Sequence, residues 1–279
     1  MRNLLRADLW RFFNVNRLRG QFWGYALTAI GIPTLLFTVV MTAAKGSFVS
    51  ISPAPITTVL SLNGGLGNLY LLLCGGVTAE CLLGDLEAGF AKTVVAGTRG
   101  RLAYFAEKLL LCLVLCTVMM LVLAASVALF FLLFGITIVS EPVLPLLAWL
   151  GLTWLLGYAI SLLSAAVVWL THSSAVSYIG AILISLGVGR GLLLGLAASS
   201  GGILRVFQPI APVLVEMANW MPGAAAGLLG QGIGVFGAPA ISSLALPFGA
   251  GIQAIVICAG WAVVASALCL AIARKRDVA

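Results

Sequence analysis

The sequence is short of charge. Lysine, arginine, aspartate and glutamate make up 8% of its 279 residues while 62% are hydrophobic, against roughly 25% and 45–50% in a soluble domain. That scarcity excludes a water-soluble domain and marks an all-α integral membrane protein, with 1–279 as a single membrane domain. Histidine is almost absent: His172 stands alone, and no CxxC pair accompanies it. The usual metal-ligating sets are therefore missing, and Cys112 and Cys116, which share a helix face, read with the other four cysteines as small buried hydrophobes. There is no GxSxG and no HExxH, so a hydrolase reading of His172 and Ser173 has no support and His172 reads as a turn residue. There is also no glycine-lysine-hydroxyl run, and a Walker A site needs that lysine to reach the phosphates. Any ATP site belongs on another chain.

Apolar length is what the sequence has in quantity. A bilayer core of about 30 Å takes roughly 20 apolar residues per helix, and six runs qualify: about 21–44, 56–83, 109–135, 144–170, 175–197 and 248–273. The first is too long for a signal-peptide core, and Pro33 should kink it. The second contains Asn63-Gly64-Gly65-Leu66-Gly67-Asn68, read either as a break lining a path or as a close helix contact, with packing preferred. Ahead of the spans, residues 1–20 interleave five arginines with Leu5, Leu9, Phe12 and Phe13, which fall on one side of a helix. The expectation is an interfacial helix in the headgroup layer. Residues 198–246 are apolar but carry Pro209, Pro212, Pro222 and Pro239, so short re-entrant or interfacial helices are expected in this outer loop before the last span.

The fifth run carries Gly187, Gly191 and Gly195 at four-residue spacing, a face suited to close helix packing or a dimer interface. Arg190 interrupts the same run roughly 10 Å below its outer end, at about 1.5 Å per residue. An intramembrane arginine is by default a pathway or interface charge. Snorkelling to the headgroups is the competing reading.

Orientation follows from the basic residues. With the N-terminus in the cytoplasm and six spans, twelve lysines and arginines fall inside and three, Lys45, Arg190 and Arg205, fall outside. That bias follows the positive-inside rule and puts both termini in the cytoplasm. The net charge of +7 is thus an orientation signal, and nucleic acid is not an expected partner because the basic residues are split among three segments beside spans.

Once the two terminal clusters are set aside, 13 charged side chains remain, and seven of them lie between Cys81 and Leu109. This becomes the one sizeable cytoplasmic loop, 84–108. Its pattern of an acidic residue (Asp85 or Glu87), Gly89, Lys92, Gly97, an arginine (Arg99 or Arg101) and the span-opening Lys108 resembles the permease subunits of type-2 ABC exporters. The resemblance extends to the basic leader, the six spans and the proline-rich outer segment. It implies a coupling helix at Gly84 to Val95, with Gly97 and Gly100 at the turn back, docking into a separate ABC-type ATPase. It also implies a second permease, homodimeric or paralogous, and transport by alternating access. Asp85 and Glu87 near the start of such a helix and Lys92 near its end complement the helix dipole. On this reading the chain is not an enzyme, carries no cofactor or metal, and depends on MgATP bound to its partner. A compact permease of this kind resembles those that export hydrophobic or peptide substrates such as lantibiotics or bacitracin-like drugs, for resistance or immunity, from the cytoplasmic (inner) membrane. The rival readings are an ion-gradient-driven secondary transporter, which would need carboxylates at mid-span, and a non-transporting membrane assembly protein.

Overall fold

The computed structural model describes residues 2–13, 24–44, 54–62, 66–87, 100–136, 138–199, 209–242 and 248–275. These are helical almost throughout. The exception is a two-residue parallel pairing of β1 (Ala54–Pro55) with β2 (Ile138–Val139). It is reinforced by Glu141, whose carboxylate accepts from the Thr57 amide at 3.1 Å and from its hydroxyl at 2.5 Å.

The chain begins with α1 (Arg2–Phe13). A π-helical stretch, Tyr25–Gly31, then runs into α2 (Ile32–Ala44). The wide turns end just before Pro33, whose ring lacks an N–H and crowds the carbonyl four residues back. Within the expected first span, Thr28–Val40 is a shorter apolar helix. The second expected span, 56–83, is revised. A short helix, α3 (Ile56–Val59), is followed by a fold-back, and α4 (Gly67–Glu87) supplies the long element. Gly67 permits this: a side chain there would overlap the Leu60 carbonyl and come within 2.7 Å of Leu62 Cδ2. Gly67 thus meets the turn that precedes it, and residues 63–65 of the glycine run lie outside the described residues.

Next come α5 (Gly100–Leu133) and α6 (Val143–Thr171). His172 closes α6 in the left-handed conformation, φ 52°. The fifth expected span, 175–197, is broken into α7 (Ser174–Ser185) and α8 (Val188–Ser199), bent by 67°. Short pieces follow as expected: α9 (Ala211–Asn219), α10 (Pro222–Leu229) and a 3-10 turn, Gly232–Phe236. The chain ends on α11 (Ala250–Lys275). Among the described residues, four helices have the length and apolar composition to cross a membrane, namely α4, α5 from Ala103, α6 and α11, or five with the bent pair as one span. They fit a multi-pass membrane protein. Outward side chains such as Leu121, Leu132, Ile179, Ile182, Val263 and Val264 are apolar and exposed, as lipid contact requires.

At the centre, α6 packs against α4, α5, α7 and α11. Lipid tails are as apolar as leucine, so these helices are held by close packing and polar bonds rather than by the hydrophobic effect. Gly157 lets the Tyr70 ring lie on the α6 backbone, and Gly75 admits the Ser185 and Ser164 hydroxyls. Trp149 Nε1 donates to the Leu229 carbonyl at 2.8 Å and Trp261 Nε1 to the Trp220 carbonyl at 2.7 Å. Gln253 accepts from the Ile241 amide at 2.9 Å, and Asn219 donates to the Ile241 carbonyl at 3.0 Å. These bonds fasten the short helices α9 and α10 to α6 and α11.

Candidate functional site

Four ionisable side chains are buried together at the ends of α4 and α5. Lys108 and Glu107 are each 1% exposed, Asp85 2% and Asp8 7%. Lys108 Nζ lies 2.5 Å from Asp8 Oδ2, 2.5 Å from Asp85 Oδ2 and 3.6 Å from Glu107 Oε2. Tyr104, one turn earlier on α5, sets its ring 5.2 Å from the ammonium and donates its hydroxyl towards Asp85 Oδ2 at 3.5 Å. One ammonium is therefore shared by carboxylates from three elements: α1, α4 and α5. No other described residue's N–H or O–H group donates to Glu107, whose carboxyl faces that of Asp8.

The positions follow from helix periodicity. On α1, Leu5, Leu9 and Phe12 pack against the core, and Asp8 falls within the same face. The apolar side of α1 therefore lies against protein, with Trp10 outward at 64% exposure. On α4, Tyr70, Cys74, Thr78, Cys81 and Asp85 recur at three- and four-residue spacing, giving one face that ends on the cluster. Deeper in the bundle, Cys116 Sγ and Ser161 Oγ are 3.0 Å apart, and Ser161 donates to the Cys74 carbonyl at 2.9 Å, joining α5, α6 and α4. All six cysteines are unpaired, five of them buried. Among the described residues no cluster of histidine, cysteine or carboxylate side chains could hold a metal.

Burying ions costs several kcal/mol each, and removing one partner of a buried pair is strongly destabilising, typically about 3–5 kcal/mol. Ionisable side chains buried on helices able to cross a membrane are by default candidate functional groups. What this arrangement can do is mechanical. It ties the last turn of α4 to the third turn of α5, the two roots of the segment 88–99, and it ties both to α1.

Of the residues expected to contact an ATPase, Asp85 and Lys108 are thus internal and paired. Glu87 is exposed at the end of α4. Gly84–Glu87, the start of the expected coupling helix, forms the last turn of α4. Gly89, Lys92, Gly97 and Arg99 lie outside the described residues, as does the side chain of Arg101. The glycine repeat of the fifth run is divided. Gly187 (φ +66°) makes the bend, and a side chain on it would come within 3.0 Å of Gly223 Cα, whereas Gly191 and Gly195 have nothing within 4 Å. Arg190 lies across α10: a methyl group on Gly227 would be 3.0 Å from its Nη1. Its Nε is buried without a hydrogen-bond partner. Compared with protein-family models, curated proteins and solved structures, the chain matches none.

Proposed function

We propose that this chain is the membrane-spanning permease subunit of an ATP-driven exporter of the type-2 ABC class, working with a separate ATPase and a second permease. It sits in the cytoplasmic membrane with six spans and both termini inside, the helix containing α2 and the bent pair α7 and α8 being the remaining two crossings. MgATP binds and is hydrolysed on the partner, and this chain contributes no catalytic group. The cargo is a hydrophobic molecule or peptide of the antimicrobial kind, which the producer expels for immunity or resistance.

The observation that carries this reading is the ion cluster around Lys108. A segment that receives a push from a partner is useful only if its two roots move together, and the cluster joins α4 to α5, the helices on either side of 88–99 in the chain. A plain connecting loop has no need of so costly a brace. Ion-gradient-driven transport is the second reading, favoured by the buried carboxylates of Asp85 and Glu107. It places them at helix ends rather than at mid-span, where coupling ions are usually held.

The test is purification of the tagged chain from its native membrane, followed by transport assays in proteoliposomes. An ATPase should co-purify, and export should stop with vanadate and persist with a protonophore. Export that stops with the protonophore and ignores vanadate supports the second reading instead. A reporter fused after Ala279 should be active in its cytoplasmic form, and an external reporter would overturn the six-span arrangement.

A further inference from the structure

The three carboxylates around the ammonium are not held equally. Asp8 and Asp85 both sit at hydrogen-bonding distance from Lys108 Nζ, whereas Glu107 stands at 3.6 Å. Glu107 is 1% exposed, receives no N–H or O–H from another described residue, and faces the carboxyl of Asp8. A buried carboxyl that no donor group reaches is unfavourable, so its place beside Lys108 calls for a use.

The three carboxylates differ in what carries them. Asp85 and Glu107 belong to the long helices α4 and α5, which are part of the bundle. Asp8 belongs to α1, a 12-residue helix held by this ion pair, by other contacts of Asp8 and by a few apolar side chains, among them Phe12. If α1 lifted away, Lys108 would keep Asp85 and lose Asp8. Glu107 is the neighbouring residue on the same helix and needs only to swing from 3.6 Å to bonding distance to fill the vacancy. The ammonium then has two close carboxylates whether α1 is docked or released, which removes most of the electrostatic penalty of opening.

We propose that Lys108 is the switching point of a latch: Asp8 holds α1 against the roots of the 88–99 segment, and Glu107 takes its place when α1 leaves. The latch is a property of the chain itself and operates with neither ATPase nor cargo. It therefore stands or falls separately from the exporter reading.

The test uses the full chain in lipid nanodiscs with Phe12→Cys as the reporter, because Phe12 is 2% exposed when α1 is docked. Alkylation at position 12 by a membrane-impermeant maleimide is followed by peptide mass spectrometry, which separates it from the native thiols. Asp8→Asn should speed alkylation by about tenfold or more, since the tie to the buried ammonium is lost. Asp8→Glu, which keeps the charge, should stay near the parent rate. Glu107→Gln should slow alkylation severalfold, because release then strands Lys108 with one carboxylate. An unchanged or faster rate in Glu107→Gln overturns the latch, since a merely structural glutamate would loosen α1 when neutralised. Equal acceleration by Asp8→Glu and Asp8→Asn overturns it as well.

Discussion

Lys108 Nζ and Asp8 Oδ2 lie 2.5 Å apart although a hundred residues of sequence separate them. The same ammonium holds Asp85 at 2.5 Å and stands 3.6 Å from Glu107, so its loss would leave three buried carboxylates without their cation. Lys108→Met should lower stability by about 3–5 kcal/mol. Adding Asp8→Asn and Asp85→Asn to that variant should recover most of the loss, because neutral amides no longer need a counterion. Thermal or denaturant unfolding in detergent micelles, read by circular dichroism, checks both steps. A triple variant no more stable than the single one would mean that the cluster does not act as a charge-balanced unit.

The contact between Gly157 and Tyr70 offers a second check on how the bundle is held. A methyl group on Gly157 would stand 2.6 Å from Tyr70 Cε1, and the ring is fully buried, so it has nowhere to retreat. Gly157→Ala should cost about 1–3 kcal/mol through overpacking, despite the better helix propensity of alanine. Gly151→Ala, on the same helix with nothing within 4 Å, is the control and should leave the unfolding midpoint unchanged or slightly raised.

The bend between α7 and α8 depends on Gly187. Its φ of +66° is strained for any residue with a side chain, and the atom that a Cβ would meet is backbone, Gly223 Cα at 3.0 Å. A left-handed residue costs about 1–2 kcal/mol without glycine, so Gly187→Ala should destabilise by at least that much and loosen α8 from α10. Gly191→Ala, which meets open space, should be nearly neutral. Unfolding midpoints of the two variants, compared side by side, give the answer.

How much of this was legible in the sequence depends on what fixes each element. Long apolar runs define α6 and α11, and their expected limits, 144–170 and 248–273, fall within a few residues of Val143–Thr171 and Ala250–Lys275. Composition alone decides such helices. The break at Gly187 was not legible, because the glycine permits the bend while Gly223, distant in sequence, gives it something to pack against. The fold-back before Gly67 was concealed in the same way inside a run that reads as continuously apolar. Asp85 and Lys108 stood out as charges flanking spans, but Asp8 was hidden among arginines and Glu107 beside a lysine. One signal pointed to Asp8: it lies three residues after Leu5 and four before Phe12, on the apolar side of α1, where an unpaired acid would have no reason to be.

The distinction between Glu87 and Asp85 decides how docking of an ATPase is to be tested. Both are acidic and both fall near the start of the expected coupling helix, yet Glu87 is exposed while Asp85 is 2% exposed and paired with Lys108. Asp85→Arg would place a second cation against a buried ammonium, so its effect should appear as lost stability and lost protein in the membrane, of the size expected when a buried pair is broken, about 3–5 kcal/mol. Any loss of transport in that variant says nothing about docking. Glu87→Arg changes a solvated charge, and stability should move by no more than about 0.5 kcal/mol. If the end of α4 meets an ATPase, Glu87→Arg should reduce co-purification of that subunit and vanadate-sensitive export together while the amount of chain in the membrane stays constant. Full co-purification and full export in Glu87→Arg would show that this exposed end makes no energetically important contact, and would shift the docking surface away from the last turn of α4.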